Sequence, residues 1–179
     1  RMRHRGLAVH AFKATGVSLR RDILAMEDSG ARRSMIFTDL GIVTTTAASG
    51  PALTRTMLTE MTQWRPDVIV FELGDGILGA YGVEAILLEE DIRQSLTAVI
   101  LSANDPVAAW GGVKLLRERF QIEPCAVTGP ATDNAVGVKI IEEQMGVRAV
   151  NAMAAGAALG DHIIESVGLS AQLARAASE

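Results

Sequence analysis

A short apolar run at residues 68–71 constrains the fold of this chain most. Its sequence is VIVF, and it is followed at once by Glu72 and Asp75 among three glycines. The run is too short for a helix and too apolar for a half-exposed strand, so it predicts a strand buried on both faces in a parallel sheet. The two carboxylates then follow the carboxyl end of that strand, where open α/β sheets bind ligands.

The composition limits the class of protein. The 179 residues are 49% hydrophobic, which predicts one well-buried domain over residues 1–179. The net charge of −4 supplies no basic field, so we expect neither nucleic acid nor a membrane as a partner. The single cysteine, Cys125, has no partner for a disulfide, which favours the reducing cytoplasm.

Strand patterns and helix patterns alternate along the chain. This alternation predicts an α/β fold with a doubly wound, mostly parallel sheet and helices on both faces, a three-layer Rossmann-like arrangement. The predicted helix caps are Ser18, Asp105 and either Asp133 or Asn134. Residues 152–179 are predicted to form a C-terminal helical segment, broken near Gly160. Predicted strands cover residues 7–14, 34–37, 67–73, 97–103, 124–128 and 147–150, and predicted helices begin near residues 19, 50, 83, 106, 134 and 152.

Polar side chains follow five of the predicted strands at their carboxyl ends. Because the carboxyl ends of parallel strands meet at one edge of a sheet, these loops predict a ligand crevice, into which the following helices point their positive N-termini. An anionic ligand, a phosphate or a carboxylate, is the expectation. The side chains are Lys13, Thr15, Asp39, Thr44, Thr45, Thr46, Glu72, Asp75, Ser102, Asn104, Thr128, Thr132, Asp133 and Asn134.

Lys13 and Glu72 are the main candidates for the site. A lysine that ends an apolar strand at the ligand edge favours a contact with a phosphate or carboxylate over a solubilising role. A carboxylate at the end of a buried strand is costly unless it is paired or lies near a cation. Glu72 therefore predicts a magnesium ion, held directly or through water, or an ion pair with Lys13, and the two are compatible. The histidines form no pattern of metal ligands.

Four segments together resemble the P-loop NTPases of the dethiobiotin synthetase, cobyrinic acid synthase and MinD type. They are KATG at 13–16, FELGDGILG at 71–79, VILSANDPVAAWGGVKLL at 99–116 and PCAVTGPATDN at 124–134. The resemblance implies a magnesium- and ATP-dependent ligase or transferase that activates a small acidic substrate, a carboxylate or similar acceptor, by phosphoryl transfer. The chain also resembles a group of P-loop proteins of which some are described as D-amino-acid N-acetyltransferases.

The resemblance implies roles for individual residues. Lys13 matches the lysine that reaches substrate and phosphate, and Glu72 matches the magnesium-associated glutamate, so both are expected to be catalytic. Asp39 corresponds to a second magnesium-associated carboxylate. The expected contacts to ATP are Thr15, Gly16, Gly74, Gly76, Asn104, Thr128 and Asn134.

One motif of that family does not occur in the sequence, namely GxxxxGK[ST]. That loop supplies the backbone cradle and the lysine for the triphosphate. Residues 1–6 have the composition of a last helical turn with its closing glycine. We therefore expect the chain to be a fragment whose P-loop lies upstream of Arg1.

Two other classes of function stay open. The segment GDGILG at 74–79 fits the letters of the fingerprint GxGxxG, which would make the chain an NAD(P)-binding oxidoreductase domain, although no acidic residue closes a strand about twenty residues later. The other class is a non-catalytic nucleotide- or partner-binding domain. Its dimer surface would be the alanine-rich tail with Met153, Leu159, Ile163, Ile164 and Val167, for which packing on the chain's own core is the favoured alternative.

Overall fold

The computed structural model describes residues 1–169, which form two compact units. The N-terminal unit spans residues 2–94, and the C-terminal unit comprises residue 1 and the described residues from 95 onward. Both units combine helices with parallel strands, so the predicted α/β class is confirmed.

The N-terminal unit contains a three-stranded parallel sheet in the order β2-β1-β3. Its strands are β1 (Val9–Thr15), β2 (Arg33–Ile36) and β3 (Val68–Leu73), and its helices are α1 (Arg20–Asp28), α2 (Gly50–Thr62), α3 (Val83–Leu88) and α4 (Glu90–Ser95). The central strand β1 is buried from His10 to Thr15, as expected for a strand paired on both edges. The helix predicted from residue 83 to about 96 is divided into α3 and α4 by the extended backbone of Glu89.

The exposure of β3 contradicts the prediction from its sequence. Among residues 1–169 this strand pairs with β1 alone, and its side chains alternate between the core and solvent. Val70 is 46% exposed, whereas the neighbouring Phe71 packs against the core. The prediction of a strand buried on both faces was wrong, because a run of four apolar residues shows no period from which one exposed face can be recognised.

The core of the N-terminal unit lies between the sheet and α2. The rings of Phe12 and Phe71 stack across the β1–β3 pair with centroids 5.0 Å apart. His10 is also buried, and its Nδ1 lies 3.0 Å from the carbonyl oxygen of Met61 in α2. The fully buried cluster consists of Phe12, Ala14, Ile36, Phe37, Leu53, Met57 and Met61.

The C-terminal unit contains a two-stranded parallel sheet. Its strands are β4 (Ile100–Ser102) and β5 (Ala126–Thr128), and its helices are α5 (Pro106–Phe120), α6 (Ala135–Met145) and α7 (Ala152–Ser166). The strand predicted at residues 147–150 is reduced to one bridge between Val127 and Ala149. Val113, Val127 and Ile141 lie at the centre of the core that α5 and α6 form with the strands. No helix of the described residues is long and apolar enough to span a membrane.

Side-chain caps determine where the helices of the C-terminal unit begin. Asp105 Oδ1 accepts a hydrogen bond from the backbone N–H of Ala108 at 2.8 Å, and Asn134 Oδ1 accepts one from Gly137 at 2.9 Å. Both predicted caps are confirmed, with Asn134 rather than Asp133 in the second case. The predicted cap at Ser18 was wrong, because Ser18 Oγ instead lies 3.0 Å from the hydroxyl of Thr38.

Helix α7 packs on the core of its own unit. Leu159 and Ile164 are buried, and Leu159 contacts Ala126 and Val150, so the favoured alternative of core packing is confirmed for this part of the tail. Met153, by contrast, is 96% exposed. The helix is kinked at Ala155 rather than near Gly160. The predicted helical segment beyond residue 169 lies outside the described residues.

Candidate functional site

The carboxyl ends of β1 and β3 place Lys13 beside Glu72. The two residues are direct partners in the parallel register, and Lys13 Nζ lies 3.2 Å from Glu72 Oε1. The side chain of Lys13 is only 7% exposed, whereas that of Glu72 is 50% exposed. The ion pair predicted between them is therefore present, at the predicted edge of the sheet.

Asp22 is a third member of this cluster, and the sequence analysis missed it. Its Oδ2 accepts a hydrogen bond from Lys13 Nζ at 2.7 Å, and its side chain is 17% exposed. Asp22 lies in the first turn of α1, where a carboxylate also interacts favourably with the helix dipole. The available signal was an acidic residue in the first turn of α1. Because the loop from β1 into α1 is short, that residue comes close to the lysine of β1.

Lys13 is held in its charged form. Burial alone lowers the pKa of Lys13, but the hydrogen bond to Asp22 and the negative charge of Glu72 outweigh burial, so the pKa lies above its ordinary value. The ammonium group is therefore a proton donor in hydrogen bonds and not a base near neutral pH. Its chemical capacity is electrostatic, because a fixed cation stabilises an oxyanion that binds next to it.

Two glycines bring the loops after β1 and β3 into contact beside Lys13. A Cβ at Gly16, where φ is +99°, would lie 3.0 Å from the carbonyl carbon of Gly74, so the loops after β1 and β3 touch there. A Cβ at Gly74 would lie 3.8 Å from Lys13 Cε and 3.7 Å from Glu72 Oε1. Gly74 is buried, and the position that its Cβ would take lies in van der Waals contact with both partners of the ion pair. A Cβ at Gly76 would have no neighbour within 4 Å.

Thr15 lies at the end of the same strand and is completely buried. Its Oγ1 has no hydrogen-bond partner within the described part of the chain. The structure therefore groups five of the predicted site residues, namely Lys13, Thr15, Gly16, Glu72 and Gly74.

Other predicted site residues have local structural roles. Asp39 Oδ2 accepts a hydrogen bond from the N–H of Ile36 at 2.9 Å and so stabilises the turn after β2. Thr128 Oγ1 accepts one from the N–H of Ala152 at 3.0 Å, and Asn134 caps α6. Asn104 is exposed and precedes the cap of α5. Asn104, Thr128 and Asn134 belong to the C-terminal unit.

The residues beside Lys13 fit a magnesium ion that is bound by one carboxylate together with water and phosphate oxygens. Between residues 1 and 169, no group of three or more His, Cys, Asp or Glu side chains is arranged to hold a metal. Magnesium does not require such a cage, since it usually keeps several waters and binds one or two carboxylates together with phosphate oxygens. Glu72 suits that mode because half of its side chain is open to water.

The fold and this cluster define an α/β protein with a buried lysine between two carboxylates at the carboxyl end of a parallel sheet. No protein-family model matches the chain, and no curated protein and no solved structure matches it either. The function proposed for the chain therefore rests on the chemistry of Lys13, Asp22 and Glu72 and on the resemblance of its sequence segments.

Proposed function

We propose that the chain is part of a magnesium- and ATP-dependent ligase or transferase that activates a carboxylate, or a similar acceptor, by phosphoryl transfer. The observation that carries the proposal is the buried ammonium group of Lys13, hydrogen-bonded to Asp22 and paired with Glu72 at the carboxyl end of β1. Catalysis of phosphoryl transfer is mostly positioning and charge neutralisation. A cation held in one place at the ligand edge supplies both.

Each residue near the cluster has a role in this proposal. Lys13 donates to an oxygen of the acceptor or of the transferring phosphate. Glu72 holds the magnesium ion, which supplies further neutralisation of phosphate charge when it is bound. Gly16 and Gly74 let the loops after β1 and β3 meet beside the ion pair, because their backbones approach too closely for a side chain at Gly16. Asp39 as a second magnesium carboxylate completes the assignment within the N-terminal unit.

The proposal includes the finer fold assignment, a doubly wound three-layer arrangement of the P-loop NTPase kind. Three parallel strands with β1 at their centre support it, as do the helices that connect successive strands. Their parallel direction requires crossover connections of this sort. The single free cysteine, Cys125, suits the reducing cytoplasm.

The dinucleotide-binding alternative gains no support from the loop after β3. The segment at 74–79 fits the letters of the fingerprint, but α3 begins only at Val83, after Gly82. The fingerprint requires its glycines to open a helix directly.

Calorimetric titration tests the proposal with a matched control. Magnesium–ATP and magnesium pyrophosphate are titrated separately into the wild type, Lys13→Met and Lys139→Met; Lys139 is 71% exposed on α6, so its substitution removes the same charge from an open position. A charge-assisted hydrogen bond is worth about 1.5–3 kcal/mol, so Lys13→Met is expected to weaken binding by at least about tenfold. Lys139→Met should stay within about twofold of the wild type.

The two ligands separate two causes of failure. Pyrophosphate tests the oxyanion contact of Lys13, whereas ATP also tests a nucleotide site, for which these 179 residues contain no GxxxxGK[ST]. A wild type that binds neither ligand, or equal losses in both lysine variants, would refute the proposal. Circular dichroism of each variant confirms that the fold is retained.

A further inference from the structure

We infer that Glu72 is an exchangeable partner of Lys13. An incoming oxyanion takes the place of the Glu72 carboxylate on the ammonium group, and the released Glu72 binds the cation that accompanies the anion. The inference rests on the proposed function, because it concerns anion binding by the same lysine. It adds that, before the ligand binds, the Glu72 carboxylate occupies the position beside Lys13 that the ligand then takes.

The two carboxylates hold Lys13 unequally. The Asp22 oxygen lies 2.7 Å from Nζ, which is within the range of a charge-assisted hydrogen bond, whereas the Glu72 oxygen lies farther away at 3.2 Å. Asp22 is mostly buried and Glu72 is half exposed. Releasing Glu72 into water therefore costs less than releasing Asp22, because an exposed ion pair contributes little and a buried charge left alone is costly.

The positions of the two residues in the fold agree with this difference. Asp22 is part of α1, where its backbone is held by the helix. Glu72 lies on the outer face of β3 and is followed, two residues later, by Gly74. Within the described residues, Lys13 is the partner that the structure shows for the Glu72 side chain. Glu72 can therefore turn away without breaking a second interaction.

The charge of the cluster gives the exchange a driving force. Lys13 faces two carboxylates, and one of them, Asp22, also lies 3.9 Å from the guanidinium of Arg21, so the Glu72 carboxylate is the charge that competes with an added anion for the ammonium group. When Glu72 leaves, the ammonium is opposed by Asp22 alone, and an oxygen of the ligand takes the position that the Glu72 carboxylate held. A divalent cation then neutralises the freed carboxylate. Cation and anion must raise each other's affinity by the same factor, because binding linkage is reciprocal.

Titration of inorganic pyrophosphate with and without Mg²⁺ tests the exchange. In the wild type, Mg²⁺ is expected to tighten pyrophosphate binding at the protein, measured after correction for the magnesium pyrophosphate complex in solution. Glu72→Gln removes the competing charge, so without Mg²⁺ it should bind pyrophosphate about three- to tenfold more tightly than the wild type. The same variant should lose most of the tightening by Mg²⁺. Glu72→Ala should likewise bind metal-free pyrophosphate more tightly than the wild type and lose most of the tightening by Mg²⁺.

Two controls separate this mechanism from a general effect of charge. Asp22→Asn removes a carboxylate from the same lysine but leaves the Lys13–Glu72 pair, so it should retain the effect of Mg²⁺. Glu118→Gln removes the same charge from an exposed position on α5 and should change neither quantity. The exchange is refuted if Glu72→Gln binds metal-free pyrophosphate no better than the wild type, or if it keeps the full effect of Mg²⁺. The proposed function survives that result when Lys13→Met still weakens binding, and both fall if the wild type binds no pyrophosphate.

Discussion

Lys13 lies closer to Asp22, nine residues away in the chain, than to Glu72, its direct partner across the β1–β3 pair. The contact to Asp22 connects the central strand to the first turn of α1, and it is the better shielded of the two. Asp22 is therefore the residue that orients the ammonium group, while Glu72 covers it from the side of the edge strand.

Removing the ammonium group is expected to destabilise the fold. Lys13→Met leaves Asp22 mostly buried without its donor, and such a loss costs about 1–3 kcal/mol in the free energy of unfolding. Urea denaturation near neutral pH measures it. The exposed Lys139→Met should change that free energy by no more than about 0.5 kcal/mol. Equal effects of the two substitutions would contradict the burial of Lys13.

The stabilisation by Lys13 is expected to disappear at high pH. The pKa of Lys13 in the folded protein lies above its ordinary value of 10.5. Its contribution is therefore complete below the unfolded pKa and is lost as the pH rises through the folded pKa. The difference in unfolding free energy between wild type and Lys13→Met should be constant between about pH 7 and 9 and shrink above about pH 10.5. A difference that grows with pH would show the opposite shift.

Substitution of the helix caps distinguishes residues that cap from those that only resemble caps. Asp105→Ala and Asn134→Ala each remove a partner of a helix N–H, which costs about 0.5–2 kcal/mol. Ser18→Ala should cost clearly less, because Ser18 bonds the exposed hydroxyl of Thr38 and no N–H of α1. Chemical denaturation of the three variants provides the comparison. If Ser18→Ala lowered the free energy of unfolding as much as Asn134→Ala, Ser18 would be a helix cap, as the sequence predicted.

Two glycines within helices are expected to respond to alanine in opposite directions. A Cβ at Gly111 in α5 would have no neighbour within 4 Å, so Gly111→Ala should raise the unfolding free energy by about 0.4–1 kcal/mol. A Cβ at Gly137 in α6 would lie 2.2 Å from the carbonyl oxygen of Ala131. Because that oxygen is backbone, Gly137→Ala should destabilise by about 1–3 kcal/mol. The melting temperatures of both variants test the pair, and a shift in the same direction would contradict the packing at α6.

The carboxyl group of Asp91 is expected to titrate far below its usual range. Arg55 Nε donates to Asp91 Oδ2 at 2.6 Å, and this hydrogen bond lowers the pKa of Asp91 from 3.8 to about 2. The stabilisation that follows is present above the unfolded pKa and is lost as the pH falls through the folded one. Side-chain carboxyl shifts in an NMR titration measure the pKa. In Arg55→Gln the pKa of Asp91 should return toward 3.8, and an Asp91 pKa that stays near 2 in this variant would contradict the role of Arg55.

Long-range contacts explain where sequence reasoning stopped short. The pattern at residues 68–71 identified a strand, but its exposed face became visible only when β3 was found at the edge beside β1. The sequence predicted Glu72 as the partner of Lys13. Asp22 was missed because carboxylates are common in a first helical turn, where the helix dipole already favours them, so Asp22 gave no sign of a second partner. The break at Glu89 also has no local signal, whereas Arg55 on α2 contacts both Glu89 and Asp91.

The sequence by itself determined the alternation of strands and helices, the cap at Asp105, and the position of Lys13 and Glu72 at strand ends. Those features depend on hydrogen bonds and apolar periods that span only a few residues, so local residue types are enough to specify them. Only the tertiary structure decided which strand lies in the middle of the sheet, which face of β3 meets solvent and which carboxylate holds Lys13 most closely. These outcomes depend on the order in which distant strands pair, and the residue types of one segment do not contain that order.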